Sequence, residues 1–300
     1  MRFTKMHGLG NDYVYIDAIS DPGLESLEWS SLAPGLSDRH RGVGGDGVIV
    51  IDAPRQSDCH ARMRTFNADG SEAEACGNGT RCVARYLQDR LGYDDAILFI
   101  ESGPRILECE PLDAGRVRVS MGSPGLELAD SGVLARALES VDPLELAIDA
   151  QRLRFCAVSI GNPHAVAFAH ENLWLGDDLG SQIRRLGSAI EHHNAFEQRI
   201  NVHFVAVDDP RHAVVHTWER GAGPTQACGT GACAVLVAGA REGVLGHEAE
   251  LALPGGPLIV SWIPPESGGD GIVRQAGPAE FVFEGSWVGS PERTLARLWR

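Results

Sequence analysis

The chain is poor in positive charge, has no long apolar run, and lacks any cysteine spacing suited to zinc or to a dithiol redox cycle. Lys and Arg together number 26 against 41 Asp and Glu, a formal net charge of −15 over 300 residues. That balance argues against a nucleic-acid partner, because phosphate recognition needs clustered Lys and Arg. It does not read as a membrane-surface protein either, and mainly favours solubility. No stretch approaches the length needed to span a bilayer, and Met1-Arg2-Phe3-Thr4-Lys5-Met6 runs into strand-like sequence without an apolar signal region. The cysteines, at 59, 76, 82, 109, 156, 228 and 233, are odd in number, irregularly spaced and never in a CxxC pair. A zinc ribbon and a thioredoxin-like motif are therefore unsupported, and reduced thiols in the cytoplasm are the natural reading. No lysine stands in a pyridoxal-phosphate context, and metal ligands at recognisable spacing are absent, so neither cofactor nor metal is expected.

What is present is a glycine-rich globular chain. The apolar fraction of 43% and charged fraction of 22% are those of a soluble protein, and the length accommodates two domains. The 36 glycines and the short helix-favouring runs point to many turns and much β-structure. Residues 13–17, 48–51, 96–100 and 116–119 read as strands in the first part, and 165–168, 202–207 and 213–218 in the second. Helices are predicted near 79–91, 180–194 and 231–241. Met121-Gly122-Ser123-Pro124-Gly125 marks a domain boundary, and 264–271 a loop.

An internal repeat is the most informative feature. Ala75-Cys76-Gly77-Asn78-Gly79 recurs as Ala227-Cys228-Gly229-Thr230-Gly231, and Gly10-Asn11-Asp12-Tyr13 is echoed at nearly the same offset by Gly161-Asn162-Pro163-His164. Asn67 precedes Cys76 by the same distance that Glu219 precedes Cys228. The matched order and spacing favour duplication over a chance recurrence of glycine. Each cysteine opens a predicted helix, whose first N–H groups lack partners and carry partial positive charge. That end stabilises a thiolate by up to about 2 kcal/mol, equal to about 1.5 pKa units and enough to bring a thiol from about 8.5 to around neutrality. Flanking glycines let a ligand approach the backbone, where a carboxylate docks as anions do at helix starts. Two such thiols on opposite faces of one carbon suit stereoinversion: a thiolate removes the α-proton and a thiol supplies another, with like-charge repulsion favouring one negative charge on the pair. Backbone donors in a water-excluded site would stabilise the carbanion.

Each remaining candidate has a bland reading beside it. Cys59, Cys109 and Cys156 are most simply small buried hydrophobes, and Cys82 and Cys233 helix core. Gly42-Val43-Gly44-Gly45-Asp46-Gly47 matches G-x-G-x-x-G, but it precedes a strand instead of opening a helix, so a dinucleotide site is rejected. Asn11, Asn162 and Asn67 either hold turns or bind substrate. Asn201, within a strand, wants a polar partner. Glu219-Arg220 is either a surface ion pair or, through Arg220, a bidentate carboxylate clamp. His164 reads first as a packed histidine, and His192-His193 as surface.

Taken together, Lys5-Met6-His7-Gly8-Leu9-Gly10-Asn11-Asp12, Phe66-Asn67-Ala68-Asp69-Gly70-Ser71-Glu72, Cys76-Gly77-Asn78-Gly79-Thr80-Arg81-Cys82, Gly161-Asn162-Pro163-His164, and Glu219-Arg220-Gly221-Ala222-Gly223 leading into Ala227-Cys228-Gly229-Thr230-Gly231-Ala232 resemble the diaminopimelate epimerases over almost the full length. The resemblance implies interconversion of LL- and meso-2,6-diaminopimelate in lysine and peptidoglycan-precursor synthesis, without pyridoxal phosphate or metal. It gives Cys228 the role of taking the proton from the LL substrate and Cys76 that of donating to the other face. Asn11, Asn67, Asn162, Asn201, Glu219 and Arg220 match substrate-contacting positions, as do Gly77, Asn78, Gly229 and Thr230; His164 and Glu219 match residues that tune the cysteines. The implied fold is α+β, with two similar domains related by a pseudo-twofold axis. Each is a mainly antiparallel β-barrel around a central helix, and the site lies in the cleft between them. The expected limits are residues 1–122 plus about 286–300 for the Cys76 domain and 123–285 for the Cys228 domain, with a strand near Phe281–Glu284 returning to the first. A homodimer is implied as well. Two departures stand out: Gly47 replaces a substrate-binding Gln of some members, and Phe283 falls where some have a dimer-packing aromatic with a hydroxyl. The rival readings are a proline racemase or hydroxyproline epimerase, a phenazine-type isomerase (which would want an acid at Cys76), and a redox thiol protein.

Overall fold

The computed structural model describes residues 1–73, 77–141 and 143–288. The chain divides into two compact units, one of residues 1–119 with the chain from Gly277 onward, the other of Ser120–Ala276. The first seam thus lies slightly before the expected 122/123. The second lies at 276/277 and not near 286, because the last described strand pairs along the first strand of the chain over residues 280–286 and belongs with it. The part of the expected first domain at 289–300 is outside the described residues.

The first unit runs β1 (Arg2–Gly8), β2 (Asn11–Asp17), α1 (Trp29–Ser37), β3 (Gly47–Asp52), β4 (Ala61–Asn67), β5 (Glu72–Ala73), α2 (Gly77–Leu91), β6 (Leu98–Ser102), β7 (Arg105–Pro111) and β8 (Arg116–Gly122). The second holds β9 (Ser140–Val141), β10 (Leu144–Ile148), β11 (Gln151–Arg154), β12 (Cys156–Ser159), β13 (Pro163–Phe168), α3 (Leu179–Glu191), β14 (Asn201–Asp209), β15 (His212–Glu219), β16 (Gly223–Pro224), α4 (Gly229–Arg241), β17 (Glu248–Leu253), β18 (Gly256–Ser261) and β19 (Val273–Pro278); β20 (Glu280–Ser286) follows.

The duplication read from the motifs extends to the strand pairings. In the first unit β1–β2 is antiparallel, β2–β3 parallel, β3–β4 antiparallel, β4–β6 parallel, and β6–β7 and β7–β8 antiparallel. The second unit repeats that order with β12–β13, β13–β14, β14–β15, β15–β17, β17–β18 and β18–β19. Each parallel pair needs a crossover. The helices α1 and α3 occupy one pair of equivalent crossovers, and α2 and α4 the other. The small antiparallel sheet β9–β10–β11 has no counterpart.

Burial explains the two kinds of helix. Along α4, residues 231–239 are all buried, and none is larger than Leu236. A helix apolar all round belongs inside a core, and α4 packs against β12, β13, β14, β17 and β18. The α3 helix instead shows one apolar stripe, Leu179, Ile183, Leu186 and Ile190, joined to a cluster with Phe155, Val202 and Phe204. The α1 helix was not foreseen, because Pro34 and Gly35 lie within it. It forms nonetheless, since Trp29, Leu32, Ala33 and Leu36 pack on Val14, Val48 and Phe66. Tertiary burial outweighs local propensity there.

Gly187 on α3 is a packing requirement: a Cβ there would lie 2.4 Å from Cδ2 of Trp218, whose indole N–H donates to Glu191 at 2.8 Å. Gly187→Ala is expected to destabilise the protein by about 1–3 kcal/mol through overpacking, read as a lower denaturant midpoint with unchanged slope.

Candidate active site

The α4 helix begins at Cys228, the N-cap residue, with an extended backbone (φ −117°, ψ 107°). The Gly231 N–H donates to its sulfur at 3.4 Å, and the Thr230 hydroxyl lies 3.6 Å away. An unpaired N–H of the first turn is thereby satisfied by the thiol. The thiol is 3% exposed and also bonds to the Glu219 carboxylate. Its pKa stands well above the ordinary value: burial is the largest cause and the Glu219 charge the next, while Thr230 and the Gly231 N–H pull the other way. The helix end alone does not bring this sulfur to neutrality, contrary to the expectation from sequence. Desolvation and a neighbouring anion outweigh it.

Glu219 is the last residue of β15, as Asn67 is the last of β4, so the two matched polar positions end equivalent strands. Thr225 donates its hydroxyl to Glu219 at 2.5 Å. The turn after Glu219 is pinned from two sides. The Arg220 N–H donates to Asn201 Oδ1 at 2.9 Å, and the Gly221 N–H to Glu191 Oε1 at 2.9 Å. Asn201 also donates to the Pro163 carbonyl at 2.8 Å, so its amide ties the 163 segment to the 220 turn. Both ends of that amide are committed to backbone, which is the partner its place in a strand demanded. Arg220 is exposed and gives one Nη to the Gln198 carbonyl at 3.0 Å.

Asn162 precedes β13 and joins two groups: its Nδ2 donates to Thr230 Oγ1 at 3.4 Å, and its Oδ1 lies 2.9 Å from His164 Nε2. His164 and His203 are fully buried, with facing ring nitrogens 2.9 Å apart. Burial lowers both pKa values, His164 well below normal and His203 to about 3, so both rings are neutral. His203 escaped the sequence reading because a histidine inside a strand carries no spacing signal. The buried Gln275, whose Oε1 would lie 2.6 Å from a Cβ at Gly229, was missed for the same reason.

In the first unit Asn11 opens β2. Its Nδ2 donates to Asp46 Oδ2 at 2.8 Å, and its Oδ1 accepts from Asn78 at 3.4 Å. Asp46 also takes the Asp12 N–H at 3.0 Å, and Arg39 bridges Asp12 and Asp46 at 2.6 and 2.8 Å. The buried Lys5 completes the set by pairing with Asp12. The glycine-rich loop thus supplies the Asp46 anchor for Asn11. Asn78, 4% exposed in the first turn of α2 beside Gly77, accepts from Arg81 Nη2 at 2.9 Å. Asn67 donates to Ser71 Oγ at 2.9 Å within a turn. Gly47 has no room for a side chain: a Cβ would lie 2.1 Å from the Phe66 carbonyl oxygen. Cys76 lies outside the described residues.

The other cysteines follow the bland reading with one exception. Cys59, Cys82, Cys109 and Cys233 are buried, and burial raises the Cys59 and Cys109 pKa values. Cys156 is only half-buried and donates to Glu242 at 3.4 Å, with a pKa pushed up to about 12, by burial first and then by the Glu242 charge. Among the described residues no group of three or more His, Cys, Asp or Glu is placed to hold a metal ion. No helix there is long and apolar enough to cross a membrane.

The family model described as diaminopimelate epimerase matches residues 3–127 and 156–282. The chain belongs to the diaminopimelate epimerase family. The stretch between the two matches contains the whole β9–β10–β11 sheet, so that sheet lies outside the duplicated frame. A diaminopimelate epimerase from Stutzerimonas stutzeri (strain A1501) is 41% identical, covering 95% of this chain and 98% of its own. One from Carboxydothermus hydrogenoformans is 42% identical, covering 96% and 99%. Among solved structures, a hydroxyproline epimerase from Agrobacterium vitis superposes with a TM-score of 0.66 at 15% identity, over 95% of this chain and 91% of that one. A Bacillus anthracis protein of the phenazine-biosynthesis PhzF family gives 0.63 at 19%, over 95% and 98%. Those two likenesses show the shared α+β fold and nothing finer.

Two outcomes follow from this electrostatics. Glu219→Gln removes the charge that helps hold the proton on Cys228, so alkylation of that residue, followed by mass spectrometry, is expected to begin at lower pH than in the parent. The neutral histidines have folded pKa values below the ordinary 6.5. The unfolded chain therefore binds more protons below that value. Stability is expected to be fully present above about pH 6.5 and to be lost as pH falls toward the folded values, measured as a denaturant midpoint declining already between about pH 6.5 and 5.

Proposed function

We propose that this chain interconverts LL- and meso-2,6-diaminopimelate by a two-base mechanism, within lysine and peptidoglycan-precursor synthesis. Family membership over nearly the whole chain is the observation that carries the reading. Cys228 is the base for the LL substrate and Cys76 the acid for the opposite face. The duplicated Ala-Cys-Gly-x-Gly frame supports the pairing. The Cys228 environment supports its half of the chemistry. In the resting enzyme the sulfur holds its proton and shares it with Glu219. A substrate ammonium entering beside Glu219 adds the positive charge that the buried pair lacks, and so favours the thiolate. The thiolate then meets two donors, the Gly231 N–H and the Thr230 hydroxyl. The Gly229 and Thr230 N–H groups, without partners inside the helix, receive the substrate carboxylate and the charge that develops at the α-carbon. Asn11, Asn67, Gly77, Asn78, Asn162, Asn201 and Arg220 complete the substrate set. Asn201 contributes by shaping the Arg220 turn, since its own amide is engaged.

No cofactor enters this scheme. A homodimer and a cytoplasmic location belong to the same proposal. Val282 and Phe283 on β20, 52% and 48% exposed, support an apolar contact there in spite of the missing hydroxyl.

Incubation with LL-diaminopimelate in deuterated water, with nothing added, is expected to give meso product carrying deuterium at one α-carbon. Cys228→Ala and Cys76→Ala are each expected to lower kcat/KM by about a thousandfold or more with the fold retained. Proline or hydroxyproline inversion without diaminopimelate turnover would replace this reading with the rival. Full activity in either single variant would remove the two-base assignment.

A further inference from the structure

The buried pair His164–His203 continues beyond the site. His203 on β14 faces Thr217 on β15 in direct cross-strand register, and its Nδ1 lies 2.9 Å from the Thr217 hydroxyl. Thr217 is 3% exposed. Each hydrogen in this row has only one place to go. Asn162 gives an N–H to Thr230, so its carbonyl oxygen faces His164 and can only accept. His164 Nε2 therefore carries the hydrogen. The ring is neutral, which leaves Nδ1 as a lone pair, and His203 Nε2 must donate to it. His203 Nδ1 is then a lone pair in turn, and the Thr217 hydroxyl must donate. At the other end, Cys228 shares its own hydrogen with Glu219, so the Thr230 hydroxyl is the donor toward the sulfur. Every donor in the row points the same way, from Thr217 to Cys228.

We infer that His203 and Thr217 are positioning residues for the reaction: they fix the Nε2–H tautomer of His164 and, through Asn162, aim the Thr230 hydroxyl at the Cys228 sulfur. The inference rests on the reading of Cys228 as a base. A second contact supports it independently of the hydrogen-bond row. A Cβ at Gly231 would lie 2.2 Å from His203 Cε1, so the imidazole packs on the residue whose N–H donates to the same sulfur. His203 thus serves both donors of the thiolate, one through the row and one by contact. Buried rows of this kind gain strength from their common direction, and lose it when one member is left without a partner.

The test separates this inference from the proposed function. Nitrogen-15 NMR of the parent protein is expected to show pyridine-type Nδ1 and pyrrole-type Nε2 in both His164 and His203; an Nδ1–H tautomer in either overturns the inference, whatever the enzyme turns over. Thr217→Val removes the terminal donor with little change of volume and is expected to admit the second tautomer of His203. His203→Leu removes the donor to His164, whereas His203→Gln keeps an N–H where Nε2 was. Alkylation of Cys228, resolved by mass spectrometry, is expected to shift to higher pH in His203→Leu and Thr217→Val and to return toward the parent in His203→Gln. Turnover of diaminopimelate is expected to fall about tenfold in kcat with little change in KM in the first two, less than the loss from removing a donor that touches the reacting charge directly. An unshifted alkylation profile in folded Thr217→Val, or equal behaviour of the Leu and Gln variants at 203, overturns it. Loss of the proposed function is read separately, as absence of turnover in the parent protein.

Discussion

The contact between the Gly231 N–H and the Cys228 sulfur sets the terms for the second unit. It requires the sulfur at the mouth of α4, and it requires glycine at 231, since any Cβ would collide with His203. It also requires the first turn of α4 to be buried. Small residues throughout α4 meet that demand by letting strands approach on several sides. The energetic cost falls on the thiol, which sits in a dry place beside a carboxylate and so holds its proton more firmly than an exposed thiol does.

The two units share an architecture and differ in how they hold their matched asparagines. Asn11 is anchored by a carboxylate, Asp46, within a charged set that includes Arg39, Asp12 and Lys5. Asn162 is anchored by a neutral histidine within a row that contains no formal charge before Glu219. The duplicated backbone therefore presents its amides from a salt-sensitive support in one unit and a solvent-excluded one in the other. Charged supports near the surface weaken as ionic strength rises, whereas buried neutral ones do not.

Much of this was legible in the sequence, and the reason is periodicity. The Cys-Gly frames located the starts of α2 and α4 to within two residues, and alternating apolar runs located β2, β3, β14 and β15. The seam near 120 was marked by Gly and Pro. The α1 helix was hidden by its internal proline; the return of β20 to β1, which the resemblance implied and the pairing bears out, is a long-range contact that no local pattern encodes. In the site, the repeat pointed to Asn11, Asn67, Asn162, Glu219 and both cysteines. It could not show that Asn201 spends its amide on backbone, that Asp46 from a glycine-rich loop holds Asn11, or that His203 stands behind His164. The direction of the Cys228 pKa shift was also beyond reach, because burial and the approach of Glu219 are properties of the packed chain alone.

The crowding at Gly47 limits what that position can carry. The position lies in register with Asn67 on the neighbouring strand, with the Phe66 carbonyl where a side chain would begin. Any side chain there would have to push β3 and β4 apart before its far end could reach anything, and the Tyr13 ring closes the remaining room at 2.9 Å. Substitution at 47 alone therefore costs the β3–β4 pairing, and a longer residue is admitted only if the backbone of β4 moves first.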